Sequence, residues 1–235
     1  MTRPLIIAHR GDPSRAIENS LEAFRLALSV PVDMIEFDVR KSRDNVLYVL
    51  HDERTGRTCD GDIHLERSLS DDIAKVLLRN GEPIPTLRDV LDLAAGRAAL
   101  NIEVKSEGAG ALTAAHIAGS GYRGNILLSS FKEREVLDAR RVAPQMPIAG
   151  IFDVFSISEV RNYRDRGYRF ISLNRKAVTR ELVAALHEQS IKVYVWTVDK
   201  DDEMRQLINW GVDGIYSNKP VVLKQVVDSL GEQVP

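Results

Sequence analysis

From residue 99 onward, short apolar runs and amphipathic stretches take turns along the chain. The runs at 99–104, 125–129, 147–151, 170–173, 192–197 and 214–216 read as strands. Helical patterns lie between and after them, at 111–119, 133–142, 157–166, 179–189, 200–209 and 221–230. A further apolar run at 5–8 and the first arm of a hairpin near 34–39 bring the strands to eight. Strand–helix alternation repeated eight times predicts an α/β fold closed as a (β/α)8 TIM barrel, and a chain of 235 residues is of the length one such barrel needs. An open doubly wound sheet is the alternative arrangement of the same elements.

The hairpin lies within Asp33–Asp52, DMIEFDVRKSRDNVLYVLHD. Side chains alternate along a strand, so Met34, Glu36 and Asp38 share one side, and Ile35, Phe37 and Val39 the other. Two acids on one side of an otherwise apolar strand are costly to bury unless positive charge sits between them. The stretch 41–45 is turn chemistry, and 46–50 reads as a second strand ending at His51. The strands are too close in sequence for a parallel crossover. One hairpin register sets Glu36 opposite His51, and a one-residue slip sets Asp38 there.

The formal charge of −2 offers no excess of positive charge to recruit nucleic acid or an anionic membrane. Cys59 stands alone, which excludes an intrachain disulfide and suits a reducing cytoplasm. The apolar run before His9 is too short for a signal-peptide core, and no later stretch approaches a membrane span.

Asn19, with Glu22 three residues on, resembles a capping box for a helix over 20–29. Residues 53–69 are polar, with glycines at 56 and 61, and read as an excursion from the main body; 71–79 follows as a short helix. Thr86 is the expected cap of a helix over 87–95, with Gly96 ending it.

In a (β/α)8 barrel the site forms at the C-terminal ends of the strands. His9 and Arg10 end the first strand, Glu36 and Asp38 the second, and Ser129 the fourth. Asn101, Glu103 and Lys105 share one side of the third, and Trp196 lies near the end of the seventh. Glu36, Asp38 and Glu103 should therefore converge. Three carboxylates in one cleft repel, and a divalent cation relieves the repulsion; an all-oxygen set suits Mg2+ or Ca2+. The alternative is a Glu103–Lys105 pair with no metal. His9 and His51 suit general acid and base work near neutral pH. His64 falls in the excursion, and His116 and His187 on outer helices. Arg10 and Lys105 place fixed positive charge beside the acids, which fits an anionic, phosphate-bearing substrate. No glycine-rich phosphate loop is present, so side chains and metal would hold the phosphate. Trp196 either walls the substrate's carbon skeleton or packs in the core.

These residues resemble the glycerophosphodiester phosphodiesterase family over nearly the whole chain. The resemblance runs through His9-Arg10-Gly11, Glu18-Asn19-Ser20 with Ala23-Phe24, Ile35-Glu36-Phe37-Asp38-Val39 and His51-Asp52. It continues with Arg57-Thr58 and Gly61, Ile84-Pro85-Thr86-Leu87, Ile102-Glu103-Val104-Lys105, Ser130-Phe131, Val195-Trp196-Thr197 and Gly211-Val212-Asp213-Gly214-Ile215. It implies one catalytic barrel domain over 1–235, with 53–69 as a small cap-like insertion after the second strand. It also implies metal-dependent hydrolysis of small-molecule glycerophosphodiesters to sn-glycerol 3-phosphate and an alcohol, in which the neighbouring glycerol hydroxyl attacks first and water opens a cyclic phosphate. By position, His9 and His51 match the catalytic histidines, and Glu36, Asp38 and Glu103 the metal ligands. Arg10 and Lys105 match phosphate contacts, and Trp196 the substrate-pocket tryptophan. Which histidine is acid and which base stays open at this level. So do the released alcohol and the oligomeric state. Two positions depart from the family pattern: Asn45, where glycine is common in the hairpin turn, and Asn218, where aspartate is common in Tyr216-Ser217-Asn218-Lys219-Pro220. Two rivals remain on the same fold, a Schiff-base aldolase using Lys105 and a non-catalytic phosphodiester-binding protein. Glu103 should keep Lys105 charged, which opposes the first; paired histidines have no role in the second.

Overall fold

The computed structural model describes residues 3–231. Its strands are β1 (Leu5–His9), β2 (Met34–Lys41), β3 (Leu47–Val49), β4 (Ala99–Val104), β5 (Ile126–Ser130), β6 (Ile148–Phe152), β7 (Phe170–Asn174), β8 (Lys192–Trp196) and β9 (Gly214–Ser217). Its helices are α1 (Leu21–Leu28), α2 (Ser70–Ile73), α3 (Leu87–Ala94), α4 (Gly110–Ser120), α5 (Glu133–Val142), α6 (Val160–Asp165), α7 (Arg180–Glu188), α8 (Asp201–Trp210) and α9 (Pro220–Gly231).

All strands except β3 run parallel, and β1 pairs with both β2 and β9. The sheet therefore closes on itself, which excludes the open doubly wound alternative and gives the expected (β/α)8 barrel. β3 adds antiparallel to β2 as the return arm of the hairpin.

The two sides of β2 do different work. Ile35, Phe37 and Val39 join the layer between barrel and helices, packing with Phe24, Leu87, Leu100 and Ile102. Met34 faces the barrel interior with Ile7, Leu127, Ala149, Tyr194 and Tyr216. Above this apolar plug lies a polar layer: Asn101 Nδ2 donates to Tyr216 Oη (2.8 Å), Ser129 Oγ donates to Asn101 Oδ1 (2.8 Å), and Ser172 Oγ lies 2.9 Å from Tyr216 Oη. Each buried polar atom in the layer has a partner, as burial demands. The acids sit above it.

Several local expectations are corrected. The cap of α1 is Ser20, whose Oγ accepts from Ala23 N at 3.0 Å. Asn19 instead adopts φ 59° and sends its side chain to Asp38. The hairpin register pairs Val39 with Val49, and Leu50 N donates to Asp38 O. That register falls between the two expected, so neither Glu36 nor Asp38 is level with His51. The helix expected over 71–79 stops at Ile73, because Leu77 and Cys59–Leu78 engage in bridge pairing. The helix over 157–166 opens with a separate 3-10 turn at Ile157–Glu159.

The excursion after β3 carries its own small core of Tyr48, Leu50, Cys59, Leu65, Ile73, Val76, Leu78 and Ile84, which reaches past residue 69. Arg40 fastens it to the barrel: Nη1 donates to Glu66 Oε1 (2.7 Å), which also accepts from Ser106 Oγ (2.6 Å). No described helix is long and apolar enough to cross a membrane.

The start of α4 rests on a buried acid. Glu135 accepts from Gly108 N and Gly110 N, each at 2.8 Å. A Cβ on Gly110 would lie 2.0 Å from the Glu135 carbonyl oxygen. Gly110→Ala is therefore expected to destabilise the barrel by about 1–3 kcal/mol, the usual range for forced overpacking. Urea unfolding with an unchanged slope and a lower midpoint is the expected result, and an unchanged midpoint would contradict the packing described.

Candidate active site

Strand register brings the acids together. His9 on β1 is level with Glu36 on β2, Asp38 is level with Glu103 on β4, and Glu103 is level with Ser129 on β5. Glu36, Asp38 and Glu103 each offer an oxygen within 4.8 Å of the others, and all three are buried.

The chain leaves β1 through two left-handed residues, Arg10 (φ 56°) and Gly11 (φ 85°). A side chain at Gly11 would also meet Ala23 at 2.7 Å, so this turn requires glycine. The turn aims the Arg10 amide at Glu36, where it donates to Oε2 at 3.0 Å. The Arg10 side chain crosses to Asp38, with Nε 3.1 Å from Oδ2 in an ion pair rather than an aligned hydrogen bond. Asn19 Nδ2 donates to the same Oδ2 at 2.9 Å. Lys105 Nζ donates to Glu103 Oε1 at 2.8 Å and lies 3.5 Å from Asp38 Oδ1. Asp38 Oδ1 has no hydrogen-bond donor despite its burial.

These surroundings divide the three acids. Burial, and then the Asp38 charge, push Glu36 up to about 8 and Glu103 up to about 7. Burial acts on Asp38 in the same sense, but Arg10 and Lys105 outweigh it and hold the group at about 2. Burial also opposes the charge on Lys105, yet Glu103 and Asp38 raise it above its ordinary value. A lysine so held is a poor Schiff-base nucleophile.

A chain of ion pairs leads from Asp38 to His51. Arg10 Nη1 donates to Glu18 Oε1 (2.9 Å), and Arg57 grips Glu18 with two bonds of 2.9 and 2.7 Å. Arg57 Nε also donates to Asp52. Asp52 Oδ1 accepts from His51 Nδ1 at 2.6 Å, and Arg40 Nε holds the His51 carbonyl at 2.8 Å. His51 is thus fixed through the hairpin and the excursion, not by cross-strand pairing. Burial lowers the pKa of both His9 and His51; at His9 the Arg10 charge adds to it, and at His51 the Asp38 charge opposes it.

His9, Arg10, Glu36, His51, Glu103 and Lys105 line one cavity of about 170 Å³, with Asn101, Ser172 and Tyr216 among its other lining residues. Trp196 and Phe131 form an apolar wall, with ring centroids 5.5 Å apart and edge to face. Trp196 Nε1 is buried there without a hydrogen-bond partner. His64, His116 and His187 do not line it; His187 Nε2 instead contacts Asp213 at 2.8 Å.

Sequence reasoning assigned no role to Glu18, Asp52, Arg57, Phe131 or Asp199, and gave Asn19 only that of a helix cap. Glu18, Asn19, Asp52, Arg57 and Phe131 lie within the family-like motifs, which is the signal available for them. Asp199 and Asn218 meet His9 only through folding: His9 Nδ1 lies 2.7 Å from Asn218 Oδ1, and Asn218 Nδ2 donates to Asp199 at 2.8 Å.

The divided carboxyls predict how a cation would act on stability. Without one, Glu36 and Glu103 favour the fold in their protonated forms. That contribution is complete below their ordinary value near 4.5 and is lost as pH rises through about 7 and about 8. Asp38 runs the other way, contributing above its ordinary 3.8 and losing this as pH falls through about 2. Mg2+ or Ca2+ would replace the lost protons, so the rise in Tm on adding cation to EDTA-treated protein should be roughly twofold or more larger near pH 8 than near pH 5.5. Glu36→Gln should shrink that difference, and equal shifts at both pH values would contradict the carboxyl assignments.

A family model described as the glycerophosphoryl diester phosphodiesterase family matches residues 9–222. The chain is 30% identical over 244 residues to a glycerophosphodiester phosphodiesterase of Caldanaerobacter subterraneus, covering 96% of this chain and 98% of that one. It is 30% identical to a probable glycerophosphodiester phosphodiesterase 2 of Mycobacterium tuberculosis, over 97% of this chain and 92% of its relative. A phosphodiesterase of Oleispira antarctica, solved with the product sn-glycerol-3-phosphate, shares the fold with a TM-score of 0.89 at 22% identity, covering 96% of this chain and 97% of that one. A glycerophosphodiester phosphodiesterase of Agrobacterium tumefaciens has a TM-score of 0.81 at 26% identity, over 96% of this chain and 100% of its own. With the family match running from His9 to Val222 and relatives of that name aligned along almost their full length, the chain belongs to the glycerophosphoryl diester phosphodiesterase family, whose members are phosphoric diester hydrolases.

Proposed function

We propose that this protein hydrolyses glycerophosphodiesters to sn-glycerol 3-phosphate and an alcohol, using one divalent cation held by Glu36, Asp38 and Glu103. The observation that carries the reading is a cluster of three buried carboxylates at the C-terminal mouth of the barrel, two of which, Glu36 and Glu103, line one cavity with His9 and His51. The donor set fits a hard cation: all three groups offer oxygen, Asp38 Oδ1 lacks a donor, and Glu36 and Glu103 are held above their ordinary range. Mg2+ and Ca2+ both satisfy that chemistry. A bound cation supplies Lewis-acid stabilisation of the phosphoryl oxygens.

The chain's own groups do the rest. Arg10 and Lys105 present fixed positive charge in the cavity wall, where it offsets charge growing on the phosphoryl oxygens. His9 acts as base toward the attacking hydroxyl; its lowered pKa keeps it neutral, the form a base requires. His51 acts as acid toward the leaving alkoxide, with the Asp52 carboxylate beside Nδ1 to steady its charged form. The neighbouring glycerol hydroxyl attacks first, and water then opens the cyclic phosphate. Trp196 and Phe131 shape the side of the cavity facing the carbon skeleton, and the excursion over 53–69 serves as a cap beside it.

A second reading concerns the glycerol side of the substrate. Phe131 is 47% exposed at the cavity wall, and Val154 and Ile157 on the next loop are also exposed. This exposed apolar surface favours a lysophospholipid, whose glycerol carries an acyl chain while its headgroup leaves as the alcohol.

Glycerol 3-phosphate release from glycerophosphocholine and glycerophosphoethanolamine tests the main reading. Release is expected with Mg2+ or Ca2+, and its loss with EDTA and in Glu36→Ala. No release with either metal would overturn the reading, and headgroup release confined to a lysophospholipid, leaving an acylated glycerol 3-phosphate, would favour the second. His51→Ala should cut glycerophosphocholine turnover by about 10²–10⁴-fold. A substrate with a nitrophenol leaving group needs no proton and should retain much more of its rate; equal losses on both would remove His51 from the acid role.

A further inference from the structure

The loop after β9 holds an arrangement that the proposed mechanism does not use. Asp199, just past β8, is fixed by two donors to Oδ1: the Asn218 backbone amide at 2.8 Å and Ser217 Oγ at 3.0 Å. Its Oδ2 faces the Asn218 side-chain amide at 2.8 Å. The far end of that amide lies 2.7 Å from His9 Nδ1.

We propose that Asp199 and Asn218 are positioning residues that lock His9 in the tautomer with its proton on Nδ1. An ionised carboxylate only accepts hydrogen bonds, so the end of the Asn218 amide facing Asp199 is its NH2. The end facing His9 is then the carbonyl, which also only accepts. Nδ1 must therefore carry the hydrogen, and Nε2 keeps the lone pair. Nε2 is the atom on the acid side of the ring, 3.9 Å from Glu36 Oε2. The amide acts as a polarity converter: a fixed acceptor at Asp199 becomes a fixed acceptor at Asn218 Oδ1 because the NH2 end is already committed. A flipped amide would set an oxygen against the carboxylate and an NH2 against Nδ1. The inference rests on the reading of His9 as base, for which the free lone pair on Nε2 is the working atom.

The hydrogen-bond pattern makes a specific demand. Asp199 and Asn218 must be one carboxylate and one amide. Asn218→Asp alone would face two carboxylates across the 2.8 Å contact. Asp199→Asn alone would free the Asn218 amide to flip and release the tautomer. In the exchange Asp199→Asn with Asn218→Asp, the new amide keeps an oxygen for the Ser217 and backbone donors. Its NH2 donates to the new carboxylate, and that carboxylate still accepts from His9 Nδ1. Every donor again has an acceptor.

Each single variant should lower kcat by about 10–100-fold, as loss of an orienting partner does elsewhere, with KM little changed. The double variant should recover to within roughly threefold of the parent. Two-bond proton–nitrogen NMR on protein labelled in histidine reads the tautomer directly, with His9 identified by the signals lost in His9→Gln. The parent and the double variant should show a protonated Nδ1 and a bare Nε2, and Asp199→Asn a mixture. A parent with the proton on Nε2 would overturn the inference. So would full kcat in Asp199→Asn, or a double variant no better than the singles while melting at the parent temperature. Failure of the parent to turn over any glycerophosphodiester would refute the activity and leave the NMR result to decide the tautomer.

Discussion

Three carboxylates buried within 4.8 Å of one another are the constraint on which the rest of the barrel mouth depends. Taking such charges out of water costs more than their neighbours can tolerate unless positive charge or protons come with them. The protein uses both. Arg10 and Lys105 flank Asp38, which stays ionised at about 2, while Glu36 and Glu103 sit in the range where they hold protons near neutrality. The site is neither a relaxed surface cluster nor a set of satisfied ion pairs. Asp38 Oδ1 remains without a donor, and burial with the Asp38 charge pushes Glu36 up to about 8 and Glu103 up to about 7. The Glu103–Lys105 pair does form at 2.8 Å and Arg10 serves Asp38, but Glu36 has no lysine or arginine side-chain partner among the described residues, so the pair does not exclude a cation.

The same constraint explains why the hairpin and the excursion are tied to the barrel by charge. Arg10 cannot serve Asp38 alone; its other end needs an acceptor, and Glu18 supplies it. Glu18 then takes Arg57, Arg57 takes Asp52, and Asp52 takes His51. A histidine that the hairpin register does not deliver to either acid is instead delivered by a relay of pairs. On the opposite flank, Arg40 joins the His51 carbonyl to Glu66 and so to the excursion. The short segment with its own small core is thus part of what orients His51, whatever else it covers.

Much of this was legible in the sequence because it follows from period and order. The period-two placement of Glu36 with Asp38, and of Asn101 with Glu103 and Lys105, fixed which side chains enter the barrel, and the rule that sites form at strand ends gathered them. What was not legible depends on choices among near-equal local solutions. Asn19 and Ser20 are both good caps, and only the pull of buried Asp38 on Asn19 decides between them. The hairpin register turns on one residue in a turn where Asn45, at φ 65°, takes the left-handed position that glycine often fills. The helix expected over 71–79 loses to bridge pairing that only the excursion's fold makes available. Asp199 and Asn218 lie 19 residues apart and reach His9 across the seam where β9 meets β1, a contact no local pattern encodes.

That seam shows how the two histidines differ. His51 has an ionised partner, Asp52, within a charged relay, and a carboxylate at Nδ1 favours the imidazolium. His9 is buried and has the Arg10 charge close by, and both favour the neutral ring, while the Asn218 amide at Nδ1 opposes them without adding a negative charge. A base must begin neutral with a defined lone pair, and an acid must be able to hold the proton it gives. An aspartate at 218 would still orient the ring but would set a second carboxylate beside a catalytic histidine. The amide keeps the carboxylate's power to orient the ring while withholding its charge, and Asp199 makes that orientation unambiguous. The asymmetry between two otherwise similar side chains is therefore written in what stands behind them, one a carboxylate and the other a carboxylate seen through an amide.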